Sequence, residues 1–141
     1  MRAAARHDLL LAAADWQSRA LTLAELQEAG YEVMAVPGVR YAARALIRRL
    51  VAPPLILVDT HGDPDATPGH VEGLLELAPG VALILIAGAY DWATWEPLRP
   101  HLAALLRRPV TVGEIVAAVR RVLPPPGDQH PRPNAAGAGS A

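Results

Sequence analysis

The sequence predicts an α/β fold, a three-layer sandwich in which a parallel sheet lies between two layers of helices. Three observations carry this. Short apolar runs alternate with amphipathic stretches of helical period, the connections between them are tight, and two of the runs, LILV at 55–58 and VALILIA at 81–87, are apolar at every position. Strands that read this way are covered on both faces, and consecutive parallel strands need right-handed crossovers that place their helices over the sheet.

Taken in order, residues 9–14 form a first strand and about 18–29 a first helix, closed by Gly30, which tolerates the left-handed conformation that ends helices. YEVMAV at 31–36 is a second strand. The clearest helix follows: Val39, Ala42, Ala43, Leu46, Ile47 and Leu50 recur at helical spacing, with Arg40, Arg44 and Arg48 on the opposite face. Pro53 and Pro54 then introduce the third strand, 55–58, which delivers Asp59. Val71, Leu74, Leu75 and Ala78 give a short helix ending at Pro79-Gly80, before the fourth strand at 81–87. Residues 91–101 are poorly helical, because Pro97 and Pro100 each lack a backbone donor and clash with the preceding turn. A weak fifth strand spans 102–106. Thr111 and Glu114 form a capping box that opens a last helix with Val112, Ile115, Val116, Val119 and Leu123 inward. Residues 1–7 are an N-terminal extension, 8–123 one domain, and 124–141 a Pro/Gly/Ala-rich tail with almost nothing to bury, expected to be disordered.

Composition excludes several function classes. The formal net charge is −1, from 14 acids against 13 basic residues, all of them arginine, so the total favours neither nucleic acid nor an anionic membrane as partner. Zero cysteines remove disulfides, thiolate catalysis and sulfur-ligated metals together. The opening has the outline of a signal peptide, but Asp8 and Asp15 bracket an apolar run too short for one, and no run would span a bilayer. A cytoplasmic protein is expected.

Asp59 ends a buried strand on its carboxyl side, where open parallel sheets place their ligands. The loop that follows alternates hard ligands, Asp59, His61, Asp63 and Asp65, which raises a metal site, with Asp15 as a further donor. Asp15 also suits the N-cap of the first helix. His70 and His101 are isolated. The arginine face that includes Arg49 reads as a solvated helix surface.

Four stretches carry a resemblance: AELQEAGYEV closing the first helix, LILVD ending at Asp59, LAPGVALILIAG over the fourth strand and LLRRPVTVGEIVAAVRRVL at the end. In order and spacing, from about 8 to 123, the chain resembles the receiver domains of two-component response regulators. That resemblance implies a flavodoxin-like, receiver-like sheet in order 2-1-3-4-5 with five helices, and Asp59 at the position that accepts a phosphoryl group from a histidine kinase. Receivers hold Mg²⁺ on an acidic pair after strand one together with the acceptor. Here Ala13 and Ala14 fall at the pair, with Asp15 one residue beyond. Ala87 takes the place of a phosphoryl-binding hydroxyl, Arg108 that of a lysine, and Leu105 that of a switch aromatic. Pro109 is a candidate cis-proline, Trp16 stands where a Pro is common, and the turn after Asp59 is about two residues longer than usual.

These departures imply an atypical receiver, or pseudo-receiver, that is not an enzyme and needs no cofactor, with Arg108 paired permanently to Asp59. It would work by protein–protein interaction, and its partner would be another signalling protein or a second copy. Receivers dock or dimerise through helix four, strand five and helix five, a face that here carries Trp92, Trp95, Leu105 and Arg120. Two alternatives stand beside this: a phosphorylatable single-domain regulator using Asp59 with Mg²⁺, and a metal-binding α/β protein using Asp59, His61 and Asp63.

Overall fold

A computed structural model describes residues 6–126. Two strands buried at every position lie side by side, β1 (Leu9–Ala13) and the central β3 (Leu55–Asp59), with β2 (Val33–Val36) on the other side of β1. With β4 (Ala82–Ala87) and β5 (Ala104–Arg107) these make one parallel sheet in order β2-β1-β3-β4-β5, the order implied above.

Side chains alternate across a strand, and this divides the core in two. Leu10, Ala12, Ile56, Val58, Leu83 and Leu85 point to one face, under α2 (Val39–Ile47), α3 (Pro68–Leu77), the single turn α4 (Trp92–Trp95) and a 3-10 helix (Glu96–His101). Leu9, Leu11, Leu55, Leu57, Ile84 and Ile86 point to the other, under Leu26 of α1 (Trp16–Glu28) and Ile115 and Val119 of α5 (Val112–Val122). The parallel register places Ala13, Asp59, Ile86 and Ala87 at one edge, so the strand ends converge there.

Several expected boundaries move, each for a local reason. Asp15 caps α1 through its side chain, so the helix starts at Trp16 rather than near 18. Tyr31 lies outside β2; it is buried, and its hydroxyl donates to the Leu123 carbonyl, tying the α1–β2 turn to the end of α5. β5 begins at Ala104, two residues later than read from the sequence. α2 stops at Ile47 because Arg49 turns left-handed, with φ +57°. Leu50 therefore leaves the helix face, and Ile47, about 140° around the axis from buried Ala42 at 3.6 residues per turn, is exposed. Pro97 and Pro100 replace a regular fourth helix by one turn and a 3-10 segment. Of the extension and the tail, residues 1–5 and 127–141 lie outside the described residues.

Trp95 corrects the expected docking face. Its side chain is buried beside Leu98 in the core under α3 and α4, so it is unavailable to a partner. Trp92, one turn earlier, is half-buried, with its indole N–H on Glu96 and the guanidinium groups of Arg99 and Arg107 over its ring. Leu105 also turns inward, against the same core. Trp95→Ala is expected to cost about 3–5 kcal/mol in urea unfolding, and Trp92→Ala less than about 1 kcal/mol; equal costs would contradict the inward and outward assignments.

Candidate functional site

Asp59 is the last residue of β3 and is buried at the carboxyl edge of the sheet. Its two oxygens are both engaged. Oδ1 accepts the His61 backbone N–H at 3.0 Å, which folds the chain back immediately after the strand. Oδ2 accepts Nη2 of Arg108 in an ion pair. Arg108 follows β5; its own N–H donates to the Ala87 carbonyl at 3.0 Å, and the bond to Pro109 is cis, as the sequence position suggested. The Asp59 side chain is only 6% exposed and that of Arg108 27%, so the carboxylate is the deeply buried partner.

Across β3, the end of β1 carries Ala13, directly opposite Asp59 in register. Arg19, from α1, donates through Nη1 to the Ala13 carbonyl at 2.8 Å and the Ala14 carbonyl at 3.4 Å. A guanidinium thus caps the strand end where receivers carry their acidic pair. Asp15 lies beside it and serves as the N-cap of α1, with Oδ2 accepting the Ser18 N–H at 2.9 Å. That backbone bond and the Ser18 side chain hold the Asp15 carboxyl below its ordinary value, against an opposing effect of desolvation, with the charges of His61 and Arg108 adding to the lowering.

The remaining positions offer little to a phosphoryl group. Ala87, fully buried at the end of β4, has no hydroxyl. The hydroxyl nearest Asp59 in sequence, Thr60, donates to the Ile86 carbonyl at 2.7 Å. Asp63 turns away: Oδ2 accepts the Val39 N–H at 2.8 Å at the start of α2, and Oδ1 accepts the Asp65 N–H at 2.9 Å. His70 faces the Thr67 hydroxyl and the Asp65 carbonyl. The sequence-level cluster of Asp59, His61 and Asp63 is therefore not assembled as a ligand set. Among the described residues no three His, Asp or Glu side chains gather to hold a metal ion.

Magnesium, which the fold family implies, needs a near-octahedral shell of hard oxygens. The residues present do not fit it. Two alanines stand at the acidic pair, their carbonyls face Arg19, Asp15 caps a helix, and one Asp59 oxygen faces Arg108. Sequence reading anticipated the Asp59–Arg108 pair and the Asp15 cap. It missed Arg19, Thr60 and the role of Asp63.

No protein-family model matches the chain, and no curated protein matches it. Solved structures do. An adenylate cyclase from Rhodopirellula baltica aligns with TM-score 0.72 at 17% identity, over 83% of this chain and 87% of that one. A response regulator receiver domain protein from Clostridium thermocellum aligns with TM-score 0.71 at 16% identity, over 84% and 94%. A response regulator receiver protein from Sinorhizobium medicae WSM419 gives 0.65 at 23% identity, over 82% and 92%. The chain has the flavodoxin-like fold of response-regulator receiver domains.

Two outcomes follow from this geometry. Arg108→Ala strands a buried carboxylate and should cost about 3 kcal/mol or more in unfolding free energy. Asp59→Asn should cost less, since Arg108 reaches water, and a reversed order would contradict the burial argument. Because the Asp15 value is lowered on folding, its cap stabilises fully above the ordinary value of 3.8 and is lost as pH falls through the lowered one. The difference in melting temperature between wild type and Asp15→Ala should be full at neutral pH and close in strong acid, whereas Asp15→Asn should stay close to wild type at neutral pH.

Proposed function

We propose that this chain is an atypical receiver module that works by protein–protein contact within a two-component-type regulatory system, without efficient phosphorylation. The observation that carries the reading is the Asp59–Arg108 ion pair: one oxygen of the Asp59 carboxylate is held by a permanently charged guanidinium. Phosphoryl transfer depends on cations and donors aimed at the charge developing on the phosphoryl oxygens. Removing one such donor typically costs about 10²–10³ in rate. Ala13, Ala14 and Ala87 stand where receivers carry an acidic pair and a hydroxyl, and the Thr60 hydroxyl is committed to Ile86. With these groups replaced, the fold serves as a signalling scaffold rather than an enzyme, and needs no cofactor.

Its partner is another signalling protein, docking on α4, β5 and α5. With Trp95 and Leu105 turned inward, the face is led by Trp92, flanked by Arg99 at 5.6 Å and Arg107 at 5.9 Å, and by exposed Arg120. No described helix is long and apolar enough to cross a membrane. The cytoplasm is the compartment this reading assigns.

The test is intact mass spectrometry after incubation with Mg²⁺ and acetyl phosphate. The expected result is an unchanged mass. A phosphate adduct on most molecules, absent in Asp59→Ala, would establish the phosphorylatable regulator instead.

A further inference from the structure

The outer face of α2 and the turn after it have a composition unlike the rest of the surface. From 40 to 50 every exposed residue is either an arginine, Arg40, Arg44, Arg48 and Arg49, or a large apolar side chain, Tyr41, Ile47 and Leu50. The apolar three are 44%, 64% and 49% exposed. No acid occurs in this stretch, and none of the four arginines has an ion-pair partner among the described residues; Arg44 lies over the Tyr41 ring at 5.8 Å. Solvated surfaces mix charges of both signs. Arginine and tyrosine with few acids is instead the composition of interface centres.

Beside this face a cleft of about 400 Å³ runs between α2 and α3. Val39, Ala43, Gly69, Gly73 and Leu77 line it, Arg40 stands on its rim, and Asp65 and His70 close the end nearer the loop. At Gly69 and Gly73 a Cβ would meet nothing within 4 Å, so the groove is open where those helix positions lack side chains. In a chain with net charge −1, one of the 13 basic residues, Arg40, thus lines an apolar groove, and three more, Arg44, Arg48 and Arg49, follow it on the exposed face of α2 and the turn after it.

We propose that this face binds an acidic amphipathic helix of a partner protein, independently of the state of Asp59. Arg40, Arg44 and Arg48 recur every four residues, about 6 Å apart along the axis at 1.5 Å per residue. A partner helix with a carboxylate at the same interval meets them in register, while its apolar stripe enters the groove over Ala43 and Gly73 and meets Ile47. Charge complementarity selects the partner's sign. Concavity selects its shape, because a flat bilayer leaves a recessed floor unfilled and nucleic acid makes no use of an apolar one.

The full chain is titrated with a short alanine-based helical peptide carrying Glu every fourth residue beside a Leu stripe, and with the same peptide carrying Lys instead. Vesicles containing phosphatidylserine and duplex DNA complete the probes. The expected result is saturable binding of the Glu peptide alone, weakening with salt. Arg44→Glu with Arg48→Glu, and separately Gly73→Leu, should each weaken it by at least about tenfold, the scale of a hot spot. Gly73→Leu fills open space and removes a helical glycine, so its melting temperature should match or exceed wild type while binding falls. No saturable binding of the Glu peptide, equal binding of the Lys peptide, unaltered binding by either variant, or tighter binding to vesicles or DNA would overturn the proposal.

Discussion

Asp59 and Arg108 meet across two strand positions, β3 supplying the carboxylate and the loop after β5 the guanidinium, with β4 between them. The Asp59 carboxylate alone in that place would cost several kcal/mol, and the pair still requires further hydrogen bonds to offset its desolvation. The His61 N–H supplies one to Asp59, and the Ala87 carbonyl fixes the Arg108 backbone. Ala87, intervening at the end of β4, has no side chain beyond Cβ to obstruct the reach. The alanine and the arginine therefore act together at this edge of the sheet, where one loop is fastened to another.

Arg19 has a parallel role at the end of β1, on the other side of Asp59 from β4. Carbonyls at the end of a parallel strand have no neighbour beyond the last rung of the ladder and must find donors elsewhere. At the end of β1 the Arg19 guanidinium does this for Ala13 and Ala14. One guanidinium thus closes the end of β1, and another pairs with Asp59 at the end of neighbouring β3.

The strands were legible because burial on both faces leaves a continuous apolar run with no competing period, as in β1, β3 and β4. Caps made within four residues were legible too: Thr111 with Glu114, and Asp15 with Ser18. Asp59 and Arg108 could be read as partners only through the family resemblance, since 49 residues separate them. What escaped reading has one cause, contact set by tertiary placement. Trp95, for which the sequence favoured packing over a partner contact, sits in a four-residue helix too short to show which side is inward. Arg19 bends back to a strand end, and Asp63 reaches a helix that begins 24 residues earlier. Leu50 fits the helical period of the sequence, yet Arg49 ends the regular geometry before that period can bury it, and Ile47 falls too far around the axis from Ala42 to reach the core.

The Asp63 contact has a consequence of its own. α2 begins at Gly38, whose φ of +150° suits glycine and whose missing side chain offers no cap; the Asp63 carboxylate serves instead, and a Cβ on residue 38 would lie 2.9 Å from its oxygen. One side chain is thus excluded so that another, from a later loop, can occupy its space. The loop that follows Asp59 is thereby fastened to the start of the arginine-bearing helix.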